Sequence, residues 1–433
     1  MTNLTVRYGT HQARITLPSE VPVEVLTMDT VVPVADDAKA IRDSLANPLA
    51  GLPLRLLATG KQQVVISICD FTRPVPYACV LPIMIETLVS SGVSISNITL
   101  LIATGTHRRC SESELIGMFG VEVLQCGVQI YQHDCTDERM LTRVGTSPTG
   151  IPVFINSLWV NCDLRISAGL IEPHFMAGYS GGRKLVVPGI AGLETIMEWH
   201  SPRFIESALA VAGNLEMNPV SDENLAMASL CPSDFICDVT LNEAHEITGV
   251  WSGEMLQAWL SGTKFVAGCQ SVAVQERPRV VITSAGGYPL DATFYQTIKG
   301  LISASNIVAE GGVIVCFSEL REGLGSVQFT QLFEDHIDLY GFTQHIQGEE
   351  WVAVPEQWQL EMLCRSMHAA RIIIVTTNKS LIGVHRAGLK FVDFETFLLS
   401  AEGLDLSQGV CVIPDGPYIM PYVRTFDRRW NTP

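Results

Sequence analysis

The feature that most constrains this chain is a repeated alternation of short apolar, β-branched runs with longer segments of helical periodicity. The runs that predict strands are residues 64–69, 98–103, 164–171, 279–284, 312–317 and 371–376. Residues 81–91, between the first two, have the length and periodicity of a helix. Strands that alternate with helices in this way are typical of parallel sheets. The sequence therefore predicts an α/β fold, with mostly parallel sheets flanked by helices.

The chain length indicates more than one domain. It has 433 residues, and a domain commonly spans roughly 100–200 residues. The alternation is interrupted near residues 268–278, where a polar stretch precedes the next apolar run. We therefore predict an N-terminal α/β domain over residues 1–272 and a C-terminal α/β domain over residues 273–433.

The charge balance disfavours a nucleic-acid partner. Asp and Glu number 45 against 28 Lys and Arg, which gives a formal net charge of −17. Proteins that bind phosphate backbones carry an excess of basic residues on at least one face, and no run of five basic residues occurs here. Charged residues make up only 17% of the chain, below the roughly 25% of an ordinary globular domain, so we expect a large buried core.

No stretch of the sequence has the composition of a membrane anchor or a secretion signal. The most apolar stretch, residues 64–90, is interrupted by Asp70, Arg73 and three prolines, which prevents it from crossing a bilayer as a helix. The first residues lack the basic and then apolar order of a signal peptide. The 12 cysteines form no Cys-x-x-Cys pair, which favours buried reduced thiols. We expect a cytoplasmic protein that binds neither membrane nor nucleic acid.

Four polar clusters follow predicted strands, at the edge of a parallel sheet where ligands commonly bind. The first cluster, directly after the strand at 64–69, consists of Asp70, Phe71, Thr72 and Arg73. Its arginine offers a fork of donors to a carboxylate or phosphate, and a polar turn with a surface arginine is the alternative. The second cluster, residues 103–108, presents His107 after a glycine turn. An imidazole there suits proton transfer, and a loop histidine without such a role is the alternative.

The third cluster spans residues 172–184, with His174 near its start and Lys184 at its end. Its three glycines allow close backbone approach to an anion. It is not a Walker A loop, because Leu185 rather than Ser or Thr follows the lysine. The lysine is instead a candidate for covalent attachment, since a desolvated amine is a nucleophile. His200 follows sixteen positions later, and by itself it is more consistent with a structural histidine than with a metal ligand.

The fourth cluster begins with a Gly-Gly turn at residues 286–287, after the strand at 279–284. A helical segment follows and contains Tyr295, Gln296 and Lys299. Gln296 and Lys299 are one helical turn apart and so share a face. A solvated helix face is the alternative to a binding role.

Together the four clusters resemble the nickel-dependent lactate racemase family, whose members invert C2 of 2-hydroxy acids. The matching stretches are residues 70–74, 103–108 and 172–184, His200, and residues 295–299. Each match is weak alone, but all five follow the family's order and spacing over most of the chain. We therefore predict an isomerase, a 2-hydroxyacid racemase or epimerase.

The resemblance implies nickel and a covalently attached cofactor, pyridinium-3,5-bisthiocarboxylic acid mononucleotide, called the nickel-pincer nucleotide. In the family, the lysine at the position of Lys184 carries this nucleotide through a thioamide link, and the histidine at the position of His200 binds nickel. The other positions that match cofactor-binding residues of the family are Asp70, Phe71, Thr72, Arg73, Gln296 and Lys299. Arg73, Tyr295 and Lys299 are implied in binding a small 2-hydroxy acid substrate. Cofactor-biosynthesis proteins are implied as partners.

The mechanism that the resemblance implies is a hydride relay in a cleft between the two domains. One of His107 and His174 takes the proton from the C2 hydroxyl while hydride passes from C2 to the cofactor. The resulting 2-oxo acid accepts hydride back on either face, and the other histidine serves the opposite face. The resemblance leaves open which of the two histidines serves which face of the substrate.

Two other functions compete with this interpretation. One is a nucleotide-dependent phosphoryl or acyl transferase that binds phosphate at residues 180–184, and the missing Walker A ending argues against it. The other is a non-catalytic hydroxyacid-binding protein on the same fold, and the joint presence of both candidate acid–base histidines argues against it. One departure from the family concerns the substrate: Arg109 follows Thr-His-Arg where many relatives have proline. This extra cation favours an acid with a second carboxylate or a polyhydroxy tail.

Overall fold

The computed structural model describes residues 1–29, 31–346, 354–397 and 403–424. The strands in these ranges are β1 (Thr2–Tyr8), β2 (His11–Leu17), β3 (Val23–Val25), β4 (Val64–Cys69), β5 (Ile98–Ala103), β6 (Gln129–Gln132), β7 (Leu141–Thr146), β8 (Pro152–Asn156), β9 (Leu164–Ala168), β10 (Pro173–His174), β11 (Gly178–Tyr179), β12 (Phe235–Leu241), β13 (Ile247–Gly253), β14 (Ser271–Val274), β15 (Val280–Ser284), β16 (Gly312–Phe317), β17 (Ala370–Thr376), β18 (His385–Arg386), β19 (Leu389–Asp393), β20 (Val410–Ile413) and β21 (Met420–Val423). The α-helices are α1 (Asp37–Ala46), α2 (Leu54–Leu57), α3 (Tyr77–Ser90), α4 (Glu112–Gln125), α5 (Ser157–Val160), α6 (Leu193–Trp199), α7 (Pro202–Ile205), α8 (Pro219–Ala228), α9 (Met255–Gln270), α10 (Phe294–Ser305), α11 (Val327–Asp335), α12 (Leu339–His345) and α13 (Gln357–Ala369).

The chain divides into two compact units. Unit 1 combines residues 1–29 with residues 270–433, and unit 2 comprises residues 30–269. The predicted boundary at residues 272–273 lies close to the second of these division points. The predicted N-terminal domain differs from unit 2 at its start, because residues 1–29 fold with the C-terminal part of the chain. The physical reason is a parallel pairing of β3 with β20, in which Val23 lies opposite Val410.

Unit 2 is built on a six-stranded sheet with the order β13-β12-β9-β4-β5-β6. All neighbours are parallel except β12 and β13, which run antiparallel. From β4 the chain adds β5 and β6 on one side and later β9 and β12 on the other. The order therefore reverses between β4 and β9, and ligands bind at such a reversal in open parallel sheets.

Unit 1 is built on a seven-stranded sheet with the order β18-β19-β17-β16-β15-β20-β3. Its neighbours are parallel except β18 and β19. The order reverses between β15 and β20, and α10 follows the loop that leaves β15. The small sheets β1-β2, β7-β8 and β10-β11 are antiparallel, and β14-β21 is parallel.

The central strands are mostly apolar because both faces of each sheet are covered. In β4, Val64, Ile66 and Ile68 are buried in the core of unit 2, where α3 also packs. In β15, Val280 and Ile282 lie in the core of unit 1. The predicted α/β fold with two domains and mostly parallel sheets is confirmed. Among the described residues, no helix is both long enough and apolar enough to cross a bilayer.

Candidate active site

Three loops of unit 2 leave neighbouring strands at the same edge of the sheet. Asp70 follows β4 at once, His107 lies in the turn after β5, and His174 and Lys184 lie in the segment after β9. Strands β9, β4 and β5 are adjacent and parallel, so their carboxyl ends meet at one edge. The fold thus brings three of the four predicted clusters together at the point where the strand order reverses.

Asp70 and His107 form a hydrogen-bonded pair. Nδ1 of His107 lies 2.6 Å from Oδ2 of Asp70, and Oδ1 of Asp70 accepts hydrogen bonds from the backbone N–H and the hydroxyl of Thr72. Burial by itself raises the pKa of the Asp70 carboxyl, but His107, Thr72 and Arg73 outweigh burial and hold that pKa below its ordinary value. Asp70 is therefore a carboxylate that only accepts, so Nδ1 of His107 donates and Nε2 carries the lone pair of the neutral ring. That arrangement suits a general base.

Arg73 is positioned by an acidic partner. Its Nε lies 2.9 Å from Oε1 of Glu172, and both side chains are largely buried, with exposures of 18% and 13%. The backbone N–H of Glu172 donates to the hydroxyl of Ser180, and the backbone N–H of Ser180 donates to the carbonyl of Glu172. Phe71 has a different contact, because the guanidinium of Arg108 lies 4.1 Å from its ring centroid. Arg108 also forms a bidentate pair with Glu114.

Side chains on two strands form hydrogen bonds to the turn that carries Lys184. Residues Gly182–Leu185 form a 3-10 helix. The hydroxyl of Ser67, in the centre of β4, donates to the carbonyl of Leu185 at 2.9 Å. The backbone N–H of Gly182 donates to Oδ2 of Asp238, on β12, at 2.6 Å. Burial raises the pKa of the Asp238 carboxyl to about 7.

Lys184 lies between two aromatic rings. Its Nζ is 3.2 Å from Nε2 of His174 and 4.8 Å from the ring centroid of Trp199. Nδ1 of His174 accepts from the backbone N–H of Ala177 at 3.2 Å and that of Met176 at 3.5 Å. Since Nδ1 accepts, the ring proton is on Nε2. At Nε2, His174 therefore presents a hydrogen-bond donor where His107 presents an acceptor.

His200 is buried at the end of α6 as a neutral ring. Burial lowers the pKa of His200 to about 3, and Nδ1 donates to the carbonyl of Ile196 at 2.8 Å. This hydrogen bond puts the proton on Nδ1 and the lone pair on Nε2, as a metal-binding imidazole requires. Among the described residues, no group of three or more His, Cys, Asp or Glu side chains is arranged to hold a metal ion. The buried His200 imidazole is one nitrogen donor of the kind that binds a transition metal.

Arg183 is buried within the protein. Its guanidinium stacks on the indole of Trp259 at 3.8 Å, its Nη2 donates to Ser221, and the residue is 2% exposed. Among the described residues, Nε and Nη1 of Arg183 have no hydrogen-bond partner. The N–H of Gly182 donates to Asp238, and this carboxyl takes a backbone donor that a phosphate-binding loop would need. This argues against the phosphoryl or acyl transferase.

The fourth cluster lies in unit 1 on α10. Thr293 caps this helix through its side chain. Tyr295 accepts from the indole N–H of Trp358 at 3.1 Å, and its carbonyl accepts from Gln359 at 2.6 Å. Gln296 is 8% exposed, and within the described residues its Oε1 has no hydrogen-bond partner. An orphaned buried acceptor fits a ligand-binding role, while the grouping of Gln296, Tyr295 and Lys299 with the residues of unit 2 stays a prediction.

Asp238 and Ser67, which support the turn that carries Lys184, are not among the residues predicted from the sequence. The signal for Asp238 was present, because it is the one charged residue in the apolar run of β12, and such a residue is rarely buried without a role. The Arg109 guanidinium, expected to favour a larger substrate, lies 3.3 Å from Oδ2 of Asp134. His133 has structural partners, the carbonyl of Ala191 and the amide of Asn156.

Comparisons with known proteins agree with this site. Residues 8–213 match the family described as lactate racemase N-terminal domain, and residues 274–420 match lactate racemase C-terminal domain. A lactate racemase of Thermoanaerobacterium thermosaccharolyticum is 33% identical over 88% of this chain and 89% of its own length. A lactate racemase of Lactiplantibacillus plantarum is 35% identical over 88% of this chain and 90% of its own length.

Solved structures give the same result. The lactate racemase apoprotein of T. thermosaccharolyticum superposes with a TM-score of 0.86 at 30% identity, covering 97% of this chain and all of that one (100%). A Thermotoga maritima protein superposes with a TM-score of 0.67 at 17% identity, over 89% of this chain and 98% of its own, and this likeness shows the fold alone. The fold and the matches define an isomerase, an enzyme of the racemase class. The chain belongs to the lactate racemase family.

Proposed function

We propose that this protein racemises a small 2-hydroxy acid, with lactate as the substrate, by a hydride relay that uses the nickel-pincer nucleotide attached to Lys184. The observation that carries the proposal is the complementary state of two histidines at one sheet edge. His107 presents an acceptor because Asp70 holds its Nδ1 proton, and His174 presents a donor because its Nδ1 accepts from the backbone. Inversion of C2 needs a base and an acid on opposite faces of the substrate, and this pair supplies both.

The residues around Lys184 fit the proposed group. His200 offers one neutral imidazole with its lone pair on Nε2, and an ion held by sulfur donors and one imidazole suits nickel. The amine of Lys184 is the proposed attachment point. Gln296, whose Oε1 has no hydrogen-bond partner among the described residues, is proposed as a cofactor contact on the family resemblance. When bound, the nickel-carrying nucleotide supplies a reversible acceptor for hydride.

The protein's own side chains bind and orient the substrate and move its proton. Arg73 is the proposed fork for the substrate carboxylate, steadied through its Nε by Glu172, with Lys299 and Tyr295 as further contacts. Nε2 of His107 takes the proton of the C2 hydroxyl from one antipode, and the substrate becomes a planar 2-oxo acid. For the other antipode His174 is the proposed proton acceptor, a role that requires its ring proton to be on Nδ1 so that Nε2 carries the lone pair. The orientation in which Arg73 holds the substrate carboxylate decides which face of C2 each histidine meets. That face determines which antipode the histidine serves.

The proposal also names partners. A nucleotide of this kind requires proteins that build it, and these cofactor-biosynthesis proteins are the expected partners of the chain. Lactate rather than a larger acid is proposed because the two relatives found by sequence, described above, are lactate racemases. In addition, the Arg109 charge is paired with Asp134.

The test is a mass and metal measurement on protein made in a host that produces the nucleotide. The peptide that carries Lys184 should gain the mass of the nucleotide, and the protein should contain about one nickel per chain. The Lys184→Arg variant, which keeps the charge, should show neither. The His200→Ala variant should keep the added mass and lose at least about tenfold in nickel affinity. Racemisation by a protein with an unmodified Lys184 and no nickel would overturn the proposal.

A further inference from the structure

His174 is in contact with Lys184. The Nζ and Nε2 atoms are 3.2 Å apart, so one of them donates a hydrogen bond and the other accepts it. The direction of that bond depends on where the proton of the imidazole ring is. The structure answers this at the other nitrogen of the ring.

Nδ1 of His174 is an acceptor, since the N–H groups of Ala177 and Met176 point at it. These N–H groups cannot accept, so Nδ1 carries a lone pair and the ring proton is on Nε2. A ring that accepted at both nitrogens would be an imidazolate, which does not form near neutral pH. Nε2–H of His174 is therefore the donor, and the amine of Lys184 is the acceptor.

An ammonium group has three donors and no acceptor. Only the neutral amine can accept the Nε2–H bond of His174. We propose that His174 has a second role, distinct from proton transfer to substrate: it holds Lys184 as a neutral amine with its lone pair directed, ready to form the covalent link to the cofactor. The identity of the attached group rests on the proposed function. The protonation state of Lys184 does not, because it is inferred from the hydrogen bonds of His174.

The chemistry of attachment balances without an oxidant or reductant. The nitrogen of Lys184 forms a bond to the carbon of a thiocarboxylic acid, and the carbon–oxygen bond breaks while sulfur stays on carbon. The oxygen leaves as water with one proton from the lysine nitrogen and the proton of the thiocarboxylic acid, while Nε2–H of His174 donates a hydrogen bond to the departing oxygen and keeps its proton. A protonated lysine cannot begin this reaction because its lone pair is occupied.

The proposal also explains how one histidine serves twice. Once Lys184 is part of a thioamide, its nitrogen lone pair is delocalised and no longer accepts a hydrogen bond. Nε2–H of His174 then turns to the substrate oxygen. Attachment and catalysis therefore use the same N–H in sequence.

The experiment measures the reactivity of Lys184 in apoprotein, with neither nickel nor hydroxy acid present. Apoprotein is treated with a trace of acetic anhydride near neutral pH, and acetylation of the Lys184 peptide is followed by mass spectrometry. Lys264, which is exposed on α9, is the internal reference in the same chain. His174→Gln keeps an N–H donor near the position of Nε2, whereas His174→Phe and His174→Met keep bulk without a donor.

We expect His174→Gln to acetylate at Lys184 within about threefold of the wild-type rate, relative to Lys264. The Phe and Met variants should fall by about tenfold or more, because the amine loses the donor that favours its neutral, nucleophilic form. Equal Lys184 rates in wild type and in a folded variant without the donor would overturn the inference. Two variants without the donor are used in case one of them fails to fold. A changed acetylation rate at Lys264 would reveal a folding defect. Because the assay needs no racemase activity, a different cofactor or substrate would leave its outcome unchanged.

Discussion

Oδ2 of Asp70 lies 2.6 Å from Nδ1 of His107, although the two residues come from the ends of different strands. The carboxylate fixes which nitrogen of the ring carries the proton, and it also stabilises the ring when Nε2 gains a second proton. In enzymes that pair a carboxylate with a catalytic histidine, this orientation contributes strongly to the rate. The pair gives the first prediction.

Replacement of Asp70 by Asn should lower kcat by about 10³-fold or more, because the amide can donate to Nδ1 and so favour the wrong tautomer of His107. KM should change little, since Asp70 is not proposed to bind the substrate carboxylate. The measurement is racemisation from each antipode by chiral chromatography. Asp134→Asn is a matched control, because Asp134 accepts from Thr136 in the way that Asp70 accepts from Thr72. A kcat of the Asp70→Asn variant within about tenfold of wild type would remove the pair from the mechanism.

Replacement of Glu172 by Gln should raise KM for the hydroxy acid by about tenfold while kcat stays within about threefold. The reason is that the guanidinium of Arg73 loses the charged partner that holds its Nε, so its orientation toward the substrate carboxylate is less fixed. Steady-state kinetics on fully loaded enzyme measure both constants. Glu86→Gln breaks a surface pair with Arg42 and should change neither. A fall in kcat with unchanged KM would contradict the positioning role of Glu172.

The carboxyl of Asp238 should make stability depend on pH. Its pKa in the folded protein is about 7, raised by burial from an ordinary value of 3.8. The folded state therefore binds more protons than the unfolded state between these two values, and stability falls as pH rises from about 4 to about 7. The full difference is on the order of 4 kcal/mol.

Asp238→Asn should remove much of this pH dependence. The free energy of unfolding of the variant, compared with that of wild type, should therefore be higher near pH 8 than near pH 5. Urea unfolding at the two pH values measures the effect. Glu122→Gln, at an exposed position of α4, is the control and should leave the pH profile unchanged. If the Asp238→Asn variant and wild type show parallel pH profiles, Asp238 is not the titrating group.

Gly182→Ala should destabilise the protein by about 1–3 kcal/mol and reduce loading of Lys184. Gly182 has a φ of 48°, and a Cβ added there would lie 2.9 Å from Cδ1 of Trp259. Denaturant unfolding gives the stability, and the mass of the Lys184 peptide gives the loading. Gly117→Ala, inside α4 with no atom within 4 Å of the new Cβ, should be neutral or stabilise by up to about 1 kcal/mol. Normal stability and loading in Gly182→Ala would show that the turn tolerates a side chain.

Local features of the fold could be read from the sequence. Ser111 and Glu114 form a capping box at the start of α4, a pattern that is visible in the sequence because both partners lie within one turn. The apolar run of β4 is buried as predicted, because a strand covered on both faces needs no polar alternation. Helix α3 begins at Tyr77, four residues before the predicted start at residue 81, since apolar periodicity marks a helix interior better than its ends.

Pairings between distant segments could not be predicted. The first 29 residues belong with the C-terminal sheet through β3 and β20, and a three-residue strand carries no signal for its partner. Two other contacts join residues that are distant in sequence: Arg73 with Glu172, and Gly182 with Asp238. No local sequence pattern predicts either contact. These contacts depend on which strands lie side by side.

The sequence by itself determined the class of fold and the kinds of group available for chemistry, because periodicity and residue type are local properties. Only the tertiary structure decided the state of those groups. His107 and His174 are the same residue type, yet a carboxylate at Nδ1 makes one an acceptor at Nε2 and backbone N–H groups at Nδ1 make the other a donor. Protonation depends on the partners and burial that folding supplies, and so the division of roles between the two histidines exists only in the folded chain.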